Sequence, residues 1–322
     1  AVCRDGKWTQ SYAIPDGKWL VEGFDTTANQ YAQEAFEGMV ASSDENGEVT
    51  LFRPQENAKR FMKSCLRVGM PPVSVNQFME AVERAVHLNK QFIPRNGKLY
   101  VRPFMIGLQG GTGVKPAAQY LFAVEVTPYG EYLPVEASTD GQAQGIDIKA
   151  VPHKRHHAGK DKVGANYSDV FPPKKEAKDQ GYQDILLITK GGTIQECASS
   201  NFFLVEKIAG GTKPVFAIKT PTLTENILQG VTRDSLLQLL RDKNFSDRLG
   251  ANVSLVQDDA ILEEKAIETS HGAFMSGTAA GVTNIKKITM THGKEVSFSD
   301  SETQEFIAKL KALLEDARRG KV

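Results

Sequence analysis

Residues 161–167 read Asp-Lys-Val-Gly-Ala-Asn-Tyr and place one lysine, Lys162, between charged and small apolar neighbours. A lysine amine attacks aldehydes when nearby cations and partial burial favour its neutral form. Several basic residues within 154–160 precede Lys162, and 163–165 form an apolar, uncrowded flank. Taken alone, this stretch allows either a nucleophilic lysine or an ordinary surface lysine, so the choice depends on other segments.

Three further segments supply groups that complement such a lysine. Residues 196–201, Glu-Cys-Ala-Ser-Ser-Asn, put a carboxylate just before a hydrophobic strand, where burial can set it against a cationic ring nitrogen. Residues 230–232, Gly-Val-Thr, open a helix, and the N–H groups and dipole of a helix N-terminus attract an anion. Residues 276–280, Ser-Gly-Thr-Ala-Ala, are small enough for close backbone approach to an oxyanion. Together these groups predict a pyridoxal phosphate site.

The composition argues against several other classes of protein. The 322 residues carry 39 basic and 39 acidic side chains, and this zero net charge disfavours binding to nucleic acid or a membrane by charge. No run of about 18 apolar residues predicts a helix that crosses a bilayer. Three cysteines are too few for a disulfide framework and indicate a reducing compartment, either the cytosol or an organelle matrix. The first residue is Ala1 rather than Met, which is consistent with removal of a leader.

Two other motifs have simpler interpretations. The glycine-rich loop 107–113 does not match the spacing of a P-loop or a dinucleotide fingerprint, which favours a connection between strands over ATP or NAD binding. The basic segment 153–160 holds three of the six histidines, but its cations disfavour a metal ion. It is either a basic lip over an anionic ligand or a solvated loop.

Hydrophobic periodicity predicts two α/β lobes. Apolar residues recur at helical spacing over 58–66 and 75–82, and a final helix begins at a capping box of Ser301 and Gln304. We expect that helix to bury Phe306, Leu310, Leu313 and Ala317. Strands are predicted at 49–52, 99–106, 120–126, 184–189, 201–205 and 253–256.

The predicted domain boundary lies in a segment rich in Pro, Gly, Ser and acidic residues. Residues 128–144 form this interdomain linker. It separates a small N-terminal α/β domain, 1–127, from a large C-terminal domain, 145–322, that carries Lys162. A length of 322 residues fits two domains of about 150 residues each.

The order of these motifs resembles that of the branched-chain amino acid aminotransferases, which are fold type IV pyridoxal phosphate enzymes. The C-terminal half has Lys-x-Gly-x-Asn-Tyr at 162–167, Glu-x4-Asn-x-Phe at 196–203, Leu-x-Gly-Val-Thr-Arg at 228–233 and Ser-Gly-Thr-Ala at 276–279. The N-terminal half agrees over 31–38, 53–60, 100–104 and 128–132. The resemblance spans roughly residues 15–295 and implies a mixed α/β, two-domain fold.

The resemblance implies cofactor-binding roles for seven residues. Lys162 would be the catalytic residue that bonds the cofactor aldehyde and carries the substrate proton. Glu196 would keep the pyridine nitrogen protonated, and Tyr167 would hydrogen-bond the phenolate oxygen. The phosphate would be held by Arg60, Val231, Thr232 and Thr278.

The resemblance also implies a substrate pocket. Arg102 matches the residue that recognises the dicarboxylate substrate, and Ala279 would offer its backbone to the substrate carboxylate. The residues that match pocket-lining positions are Phe36, Tyr100, Tyr129 and Tyr132. Ala165 departs from the second glycine that is common in the family, and the basic segment 153–160 leaves the substrate range open.

The activity implied is transfer of an amino group from L-leucine, L-isoleucine or L-valine to 2-oxoglutarate, giving branched-chain 2-oxo acids and L-glutamate in branched-chain amino acid biosynthesis. A homodimer is expected, with no metal, nucleic acid or membrane partner. Alternatives of the same fold are a D-amino acid or (R)-amine transaminase and an aminodeoxychorismate lyase. A non-catalytic scaffold is disfavoured because Lys162 and Glu196 are both present.

Overall fold

The computed structural model describes residues 1–4, 6–10, 13, 25–44, 46–93, 97–109, 112–129, 145–153, 159–209 and 212–322. The chain divides into two units. The first comprises Ala1–Gly130 and Asp161–Ser168, and the second comprises Glu131–Lys160 and Asp169–Val322. Lys162 therefore belongs to the first unit. Most of the predicted linker, 128–144, lies outside the described residues, and the domain boundaries at 127 and 145 stay a prediction.

The first unit is built on an antiparallel sheet. Its helices are α1 (Thr27–Tyr31), α2 (Pro54–Arg67), α3 (Val75–Asn89) and α4 (Ala165–Ser168), with a 3-10 turn at Lys90–Phe92. Its strands are β1 (Val2–Arg4), β2 (Lys7–Trp8), β3 (Glu34–Phe36), β4 (Met39–Ser43), β5 (Val49–Leu51), β6 (Lys98–Gly107) and β7 (Gln119–Tyr129). Over the described ranges the strand order is β2-β1-β7-β6-β4-β5, and β3 pairs with β6.

Helices α2 and α3 pack on this sheet through aromatic side chains. The Phe61 ring of α2 lies 5.4 Å from Phe78 of α3 and 5.5 Å from Phe122 of β7, and all three rings are buried. The expectation that the apolar residues of 58–66 share one face is wrong for the last of them, Leu66, which is 56% exposed. At 3.6 residues per turn, Leu66 points about 140° away from Phe61.

The second unit is built on a mixed sheet. Its strands are β8 (Ile146–Pro152), β9 (Asp184–Ile188), β10 (Ile194–Cys197), β11 (Asn201–Ala209), β12 (Val215–Lys219), β13 (Asn252–Gln257), β14 (Gly272–Gly277), β15 (Gly281–Thr289) and β16 (Glu295–Ser297). Its helices are α5 (Phe171–Asp179), α6 (Val231–Arg241), α7 (Ser246–Leu249) and α8 (Ser301–Arg318), with 3-10 turns at Lys243–Phe245 and Glu264–Thr269.

The pairing of these strands confirms the predicted mixed α/β fold class. Over the described residues the order is β10-β9-β8-β15-β14-β11-β12-β13, with β16 on β15. Strand β8 runs parallel to β9 and β15, β12 runs parallel to β13, and the other pairs are antiparallel. All six predicted strands are present, with ends displaced by at most four residues. No helix in the described part of the chain is long and apolar enough to span a membrane.

The C-terminal helix α8 differs from its prediction at both ends. Its N-cap is Asp300, whose carboxylate accepts from Thr303 N at 2.9 Å, so the predicted capping box of Ser301 and Gln304 is wrong. The difference is one residue: Ser301 is already helical, and the residue before it takes the extended conformation of a cap. The buried face holds Phe306, Ile307, Leu310, Leu313 and Leu314, and ends at Arg318 instead of the predicted Ala317.

Candidate active site

Lys162 is held by backbone pairing with the first unit. Its carbonyl accepts from Phe36 N at 3.1 Å, and its N–H donates to Ser64 Oγ at 2.9 Å. The next residue, Val163, forms an antiparallel bridge with Ala35 of β3. Because β3 and α2 both contact this short segment, the origin of the Lys162 side chain is fixed by two elements.

The Lys162 amine lies among aromatic groups. Nζ donates to Tyr167 Oη at 2.9 Å and lies 4.8 Å from the centroid of the Phe36 ring. The Phe36 and Tyr167 rings are themselves 5.1 Å apart. Tyr167 follows Lys162 by five residues, and the short helix α4 brings its hydroxyl back to the amine. The predicted lysine and phenol are therefore neighbours, and the contact restricts a flexible side chain.

A buried ion pair joins α2 to the start of β4. Arg60 Nε donates to Glu37 Oε1 at 2.7 Å, and Arg60 Nη2 donates to Glu37 Oε2 at 2.9 Å. Asn57 Nδ2 and Gly38 N also donate to Glu37 Oε2, at 2.8 and 3.1 Å. Burial acts to raise the pKa of Glu37. The opposing charge of Arg60, its hydrogen bond and the charge of Lys162 hold that pKa below its usual value.

Glu37 is a residue that the sequence analysis missed as an individual group. The sequence feature that could have identified it lies on α2, where Asn57 and Ser64 occupy the same buried face as Phe61. Polar residues on an apolar helix face require buried partners. Here Asn57 Nδ2 donates to the Glu37 carboxylate, and Ser64 Oγ accepts from the backbone N–H of Lys162.

The predicted substrate residues of the first unit lie together. Arg102 Nη2 donates to Tyr100 Oη at 2.7 Å, and the guanidinium carbon lies 4.7 Å from the Phe36 ring centroid. The Tyr100 and Tyr129 rings are 6.0 Å apart. A Cβ at Gly38 would lie 2.4 Å from Tyr100 Oη, so glycine is required for this approach. Tyr132, the remaining predicted pocket residue, lies outside the described residues.

A second carboxylate, Glu34, borders this group and was also missed. A Cβ at Gly164 would come within 1.7 Å of Glu34 Oε1, which places the carboxylate directly over the glycine that follows Lys162 and Val163. Burial raises the pKa of Glu34, and the charge of Arg102 opposes that rise. Glu34 therefore places a partly buried carboxyl group within electrostatic range of the Arg102 guanidinium.

In the second unit, Glu196 is buried and anchored by neutral donors. Its Oε2 accepts from Asn201 Nδ2 at 3.1 Å and from Leu228 N at 3.2 Å. Asn201 Nδ2 also donates to Leu228 O at 2.9 Å. A Cβ at Gly230 would lie 2.1 Å from Asn201 Oδ1. Asn201 therefore couples the carboxylate to the turn that leads into α6.

The first turn of α6 carries two of the predicted phosphate residues. Gly230 is the N-cap, Val231 is the first helical residue, and the Thr232 side chain is buried. The next residue, Arg233, is buried as well and donates from Nη2 to Pro221 O at 3.1 Å. Burial lowers the pKa of Arg233. Its guanidinium ties the start of α6 to the loop after β12.

The remaining predicted residues lie on the turn between β14 and β15. Thr278 and Ala279 stand between Gly277, which ends β14, and Gly281, which opens β15. A Cβ at Gly277 would lie 2.9 Å from Ser200 Oγ, so the backbone of Gly277 passes close to the Ser200 side chain. The second unit thus carries all five of its predicted site residues on one sheet and its flanking helix: Glu196, Val231, Thr232, Thr278 and Ala279.

The other candidate motifs contribute little to these two groups. In the described part of the chain no cluster of three or more His, Cys, Asp or Glu side chains could hold a metal ion. Residues 154–158 of the basic segment and 110–111 of the glycine-rich loop lie outside the described residues.

Comparison with known proteins identifies similar chains and folds. The family model Amino-transferase class IV matches residues 34–288. A probable branched-chain-amino-acid aminotransferase of Streptomyces coelicolor is 34% identical, over 98% of this chain and 86% of its own length.

Two solved structures have the same fold. The branched-chain aminotransferase of Thermoproteus uzoniensis with norvaline matches with a TM-score of 0.74 at 21% identity, over 99% of this chain and 95% of its own. The branched-chain amino acid aminotransferase of Thermobaculum terrenum, solved in its PLP-bound holo-form, matches with a TM-score of 0.72 at 21% identity, over 96% of this chain and 92% of its own.

Proposed function

This chain belongs to the class IV aminotransferases, and we propose that it transfers the amino group of L-leucine, L-isoleucine or L-valine to 2-oxoglutarate. The relatives with about one third identity carry branched-chain aminotransferase names. The observation that carries the proposal is the position of Arg102 against Phe36 and Tyr100. Aromatic surface suits a branched apolar side chain, and the guanidinium suits the distal carboxylate of glutamate.

The residues present fit pyridoxal phosphate, the cofactor of class IV aminotransferases. When bound, that cofactor provides an electron sink for the negative charge left on the substrate α-carbon. The first unit offers an amine, a phenol and a guanidinium, and the second offers a buried carboxylate, a helix N-terminus and a turn of small residues. These groups complement an aldehyde, a phenolate, a phosphate and a pyridinium nitrogen.

Lys162 has the central role in this proposal. Its amine would hold the cofactor aldehyde and, in each half-reaction, would carry the proton that leaves or returns to the substrate α-carbon. The Tyr167 hydroxyl, 2.9 Å from Nζ, keeps the amine within a narrow range of positions. The Phe36 ring beside it excludes water from one side.

The remaining cofactor contacts are assigned to charged side chains and to backbone groups. Arg60 would hold the phosphate by its charge, and its two hydrogen bonds to Glu37 fix the plane of the guanidinium. In the second unit, the α6 N-terminus at Val231 and Thr232 and the turn that carries Thr278 would offer further groups to the phosphate. Glu196, buried and fixed by Asn201, would keep the ring nitrogen protonated.

The substrate is held by its carboxylate and its side chain. Ala279 offers its backbone N–H to the α-carboxylate. The side chain lies against the aromatic residues Phe36, Tyr100 and Tyr129, with Tyr132 as a further member. Arg102 receives the second carboxylate of the dicarboxylate substrate.

We also propose a homodimer in a reducing compartment, the cytosol or an organelle matrix. The dimer follows the family, and sedimentation at twice the mass of the chain would support it. The cysteines support the compartment, because none of the three, all within the described residues, forms a disulfide.

The test is a visible absorption spectrum of the purified protein before and after L-leucine, beside a Lys162→Ala variant. We expect a yellow protein that L-leucine bleaches, and a variant whose turnover falls by at least about 10³-fold, since removal of an essential nucleophile has effects of that order. Activity with D-alanine or (R)-1-phenylethylamine but not with L-leucine would contradict the substrate class. A protein that stays colourless in added pyridoxal phosphate would contradict the cofactor assignment.

A further inference from the structure

We propose that Arg318, in the last turn of α8, is a positioning residue that holds the turn 277–280 in its anion-binding conformation. The proposal rests on the proposed function, in which Thr278 contacts the cofactor phosphate. Arg318 lies beyond the residues 34–288 that match the family model. It also lies beyond the motifs on which the sequence resemblance depends.

The contacts of Arg318 are directed at the backbone of that turn. Nη2 donates to Thr278 O at 3.0 Å and to Gly277 O at 3.3 Å. On the other side, Nη1 donates to Glu315 Oε1 at 3.0 Å. Only 2% of the Arg318 side chain is exposed. A single guanidinium thus links α8 to two successive peptide groups forty residues earlier in the chain.

Because each peptide group is planar, these two hydrogen bonds to carbonyl oxygens also set the direction of the N–H groups that follow them. In a planar trans peptide the carbonyl and the following N–H point in opposite directions. When Arg318 draws the carbonyls of Gly277 and Thr278 toward α8, the N–H groups of Thr278 and Ala279 are aimed away from α8. Consecutive N–H groups aimed alike form a concavity that binds anions.

The packing around the pair supports a specific role. Gly281 has a φ of +60°, and a Cβ there would lie 3.5 Å from Glu315 Oε1 and 3.6 Å from Arg318 Nη1. The ion pair therefore packs on the backbone where the turn enters β15. A buried guanidinium is costly unless its donors are satisfied. An apolar side chain at position 318 could make packing contacts but none of the hydrogen bonds to the turn.

The experiment compares binding of pyridoxal phosphate with binding of pyridoxal, which lacks the phosphate. Equilibrium dialysis of the intact chain gives both dissociation constants for the unaltered protein and for Arg318→Ala, Arg318→Gln and Arg318→Lys. We expect Arg318→Ala to weaken pyridoxal phosphate binding by about tenfold or more, in line with loss of charge-assisted hydrogen bonds. Pyridoxal binding should change by less than about threefold, and Arg318→Lys should restore part of the preference.

The matched control is Phe306→Leu in the same helix. Phe306 packs 4.7 Å from Phe216 of β12, so its substitution destabilises α8 packing through a different contact. We expect Phe306→Leu to lower the melting temperature without altering the preference for the phosphorylated ligand. If Arg318→Ala does not fold, the Gln and Lys variants provide the same comparison.

The two hypotheses fail in different ways. If the unaltered chain binds neither ligand, the proposed function is wrong, and with it the role of Arg318. If the unaltered chain prefers pyridoxal phosphate and every Arg318 variant retains that preference, only the role of Arg318 is wrong. A preference lost equally in Phe306→Leu would also overturn it, because the effect would then follow stability alone.

Discussion

The two units bury their key carboxylates in different ways. In the first unit, Glu37 is paired with the Arg60 guanidinium through two hydrogen bonds. In the second unit, Glu196 accepts from the Asn201 amide and from a backbone N–H. The hydrogen bonds of the first arrangement come from a partner of opposite charge. The two described hydrogen bonds of the second come from neutral donors, and the charge of the buried Arg233 acts on Glu196 without one of these contacts.

This difference has consequences for substitution. Removal of one member of a buried ion pair leaves the other charged and unpaired, which costs more than the pair itself contributes. Removal of one neutral donor costs a single hydrogen bond to a charged group. The first unit should therefore be more sensitive to charge changes, and the second to changes that disturb backbone geometry.

The largest expected effect is that of Glu37→Ala. It leaves Arg60 buried without its carboxylate, and we expect the free energy of unfolding to fall by about 3–5 kcal/mol. Urea denaturation followed by circular dichroism measures the change. The control is Glu56→Ala on the same helix, where the carboxylate pairs with Lys59 but is 42% exposed, and the expected loss is about 0–1 kcal/mol. Similar losses in both variants would contradict the special role of the buried pair.

A smaller loss is expected for Asn201→Ala. The change removes one donor from Glu196 and the link to Leu228 O, so we expect a loss of about 1–3 kcal/mol. Asn244→Ala, at an exposed position in the same unit, should change stability by no more than about 0.5 kcal/mol. If Asn201→Ala costs as much as Glu37→Ala, the proposed contrast between charged and neutral partners is wrong.

Two glycine substitutions test the geometric part of the comparison. In Gly230→Ala the new methyl meets Asn201 Oδ1, whose side chain is tied to Glu196 and Leu228, and the expected cost is about 1–3 kcal/mol. In Gly113→Ala, in the first unit, the methyl enters open space, with no heavy atom of a non-adjacent described residue within 4 Å. We therefore expect less than about 1 kcal/mol there. Urea denaturation of both variants measures the two losses in the free energy of unfolding. A larger loss in the second variant than in Gly230→Ala would contradict this argument.

The parts of the molecule that follow local rules were predictable from the sequence. Strand alternation, helical periodicity and the motif around Lys162 depend on residues close together in the chain. The capping residue of α8 was displaced by one position, because Asp300 and Ser301 are both good caps and the backbone conformation decides between them. Leu66 was misassigned because the buried face of α2 is centred on Phe61 and includes polar residues.

The parts that depend on distant pairings were not predictable. Glu37 meets Arg60 across 23 residues, and Arg318 meets Thr278 across 40. No periodicity links such positions. Hydrophobic patterns alone therefore do not distinguish a buried charge at these positions from an ordinary surface charge. Buried polar residues on an apolar helix face, such as Asn57, are the one local sign that a buried charge lies nearby.

The smallest expected effects concern pH, where the two units should respond with opposite sign. The pKa of Glu37 is lowered in the folded state, so its contribution to stability is present above about pH 4.5 and is lost as the pH falls through the folded-state pKa. Asp184 on β9 has the opposite shift: burial raises its pKa, despite the Lys174 charge. Its contribution is present below about pH 3.8 and is lost as the pH rises through the folded-state pKa.

Two isosteric variants separate these opposing contributions. Glu37→Gln should reduce the loss of stability in acid, and Asp184→Asn should remove the decline on the neutral side, because neither amide titrates. Urea denaturation from about pH 3 to about pH 7 measures both slopes against the unaltered chain. If Asp184→Asn reduces the acid loss instead, the Lys174 charge outweighs burial at Asp184, and both units would then hold their buried carboxylates by ion pairing.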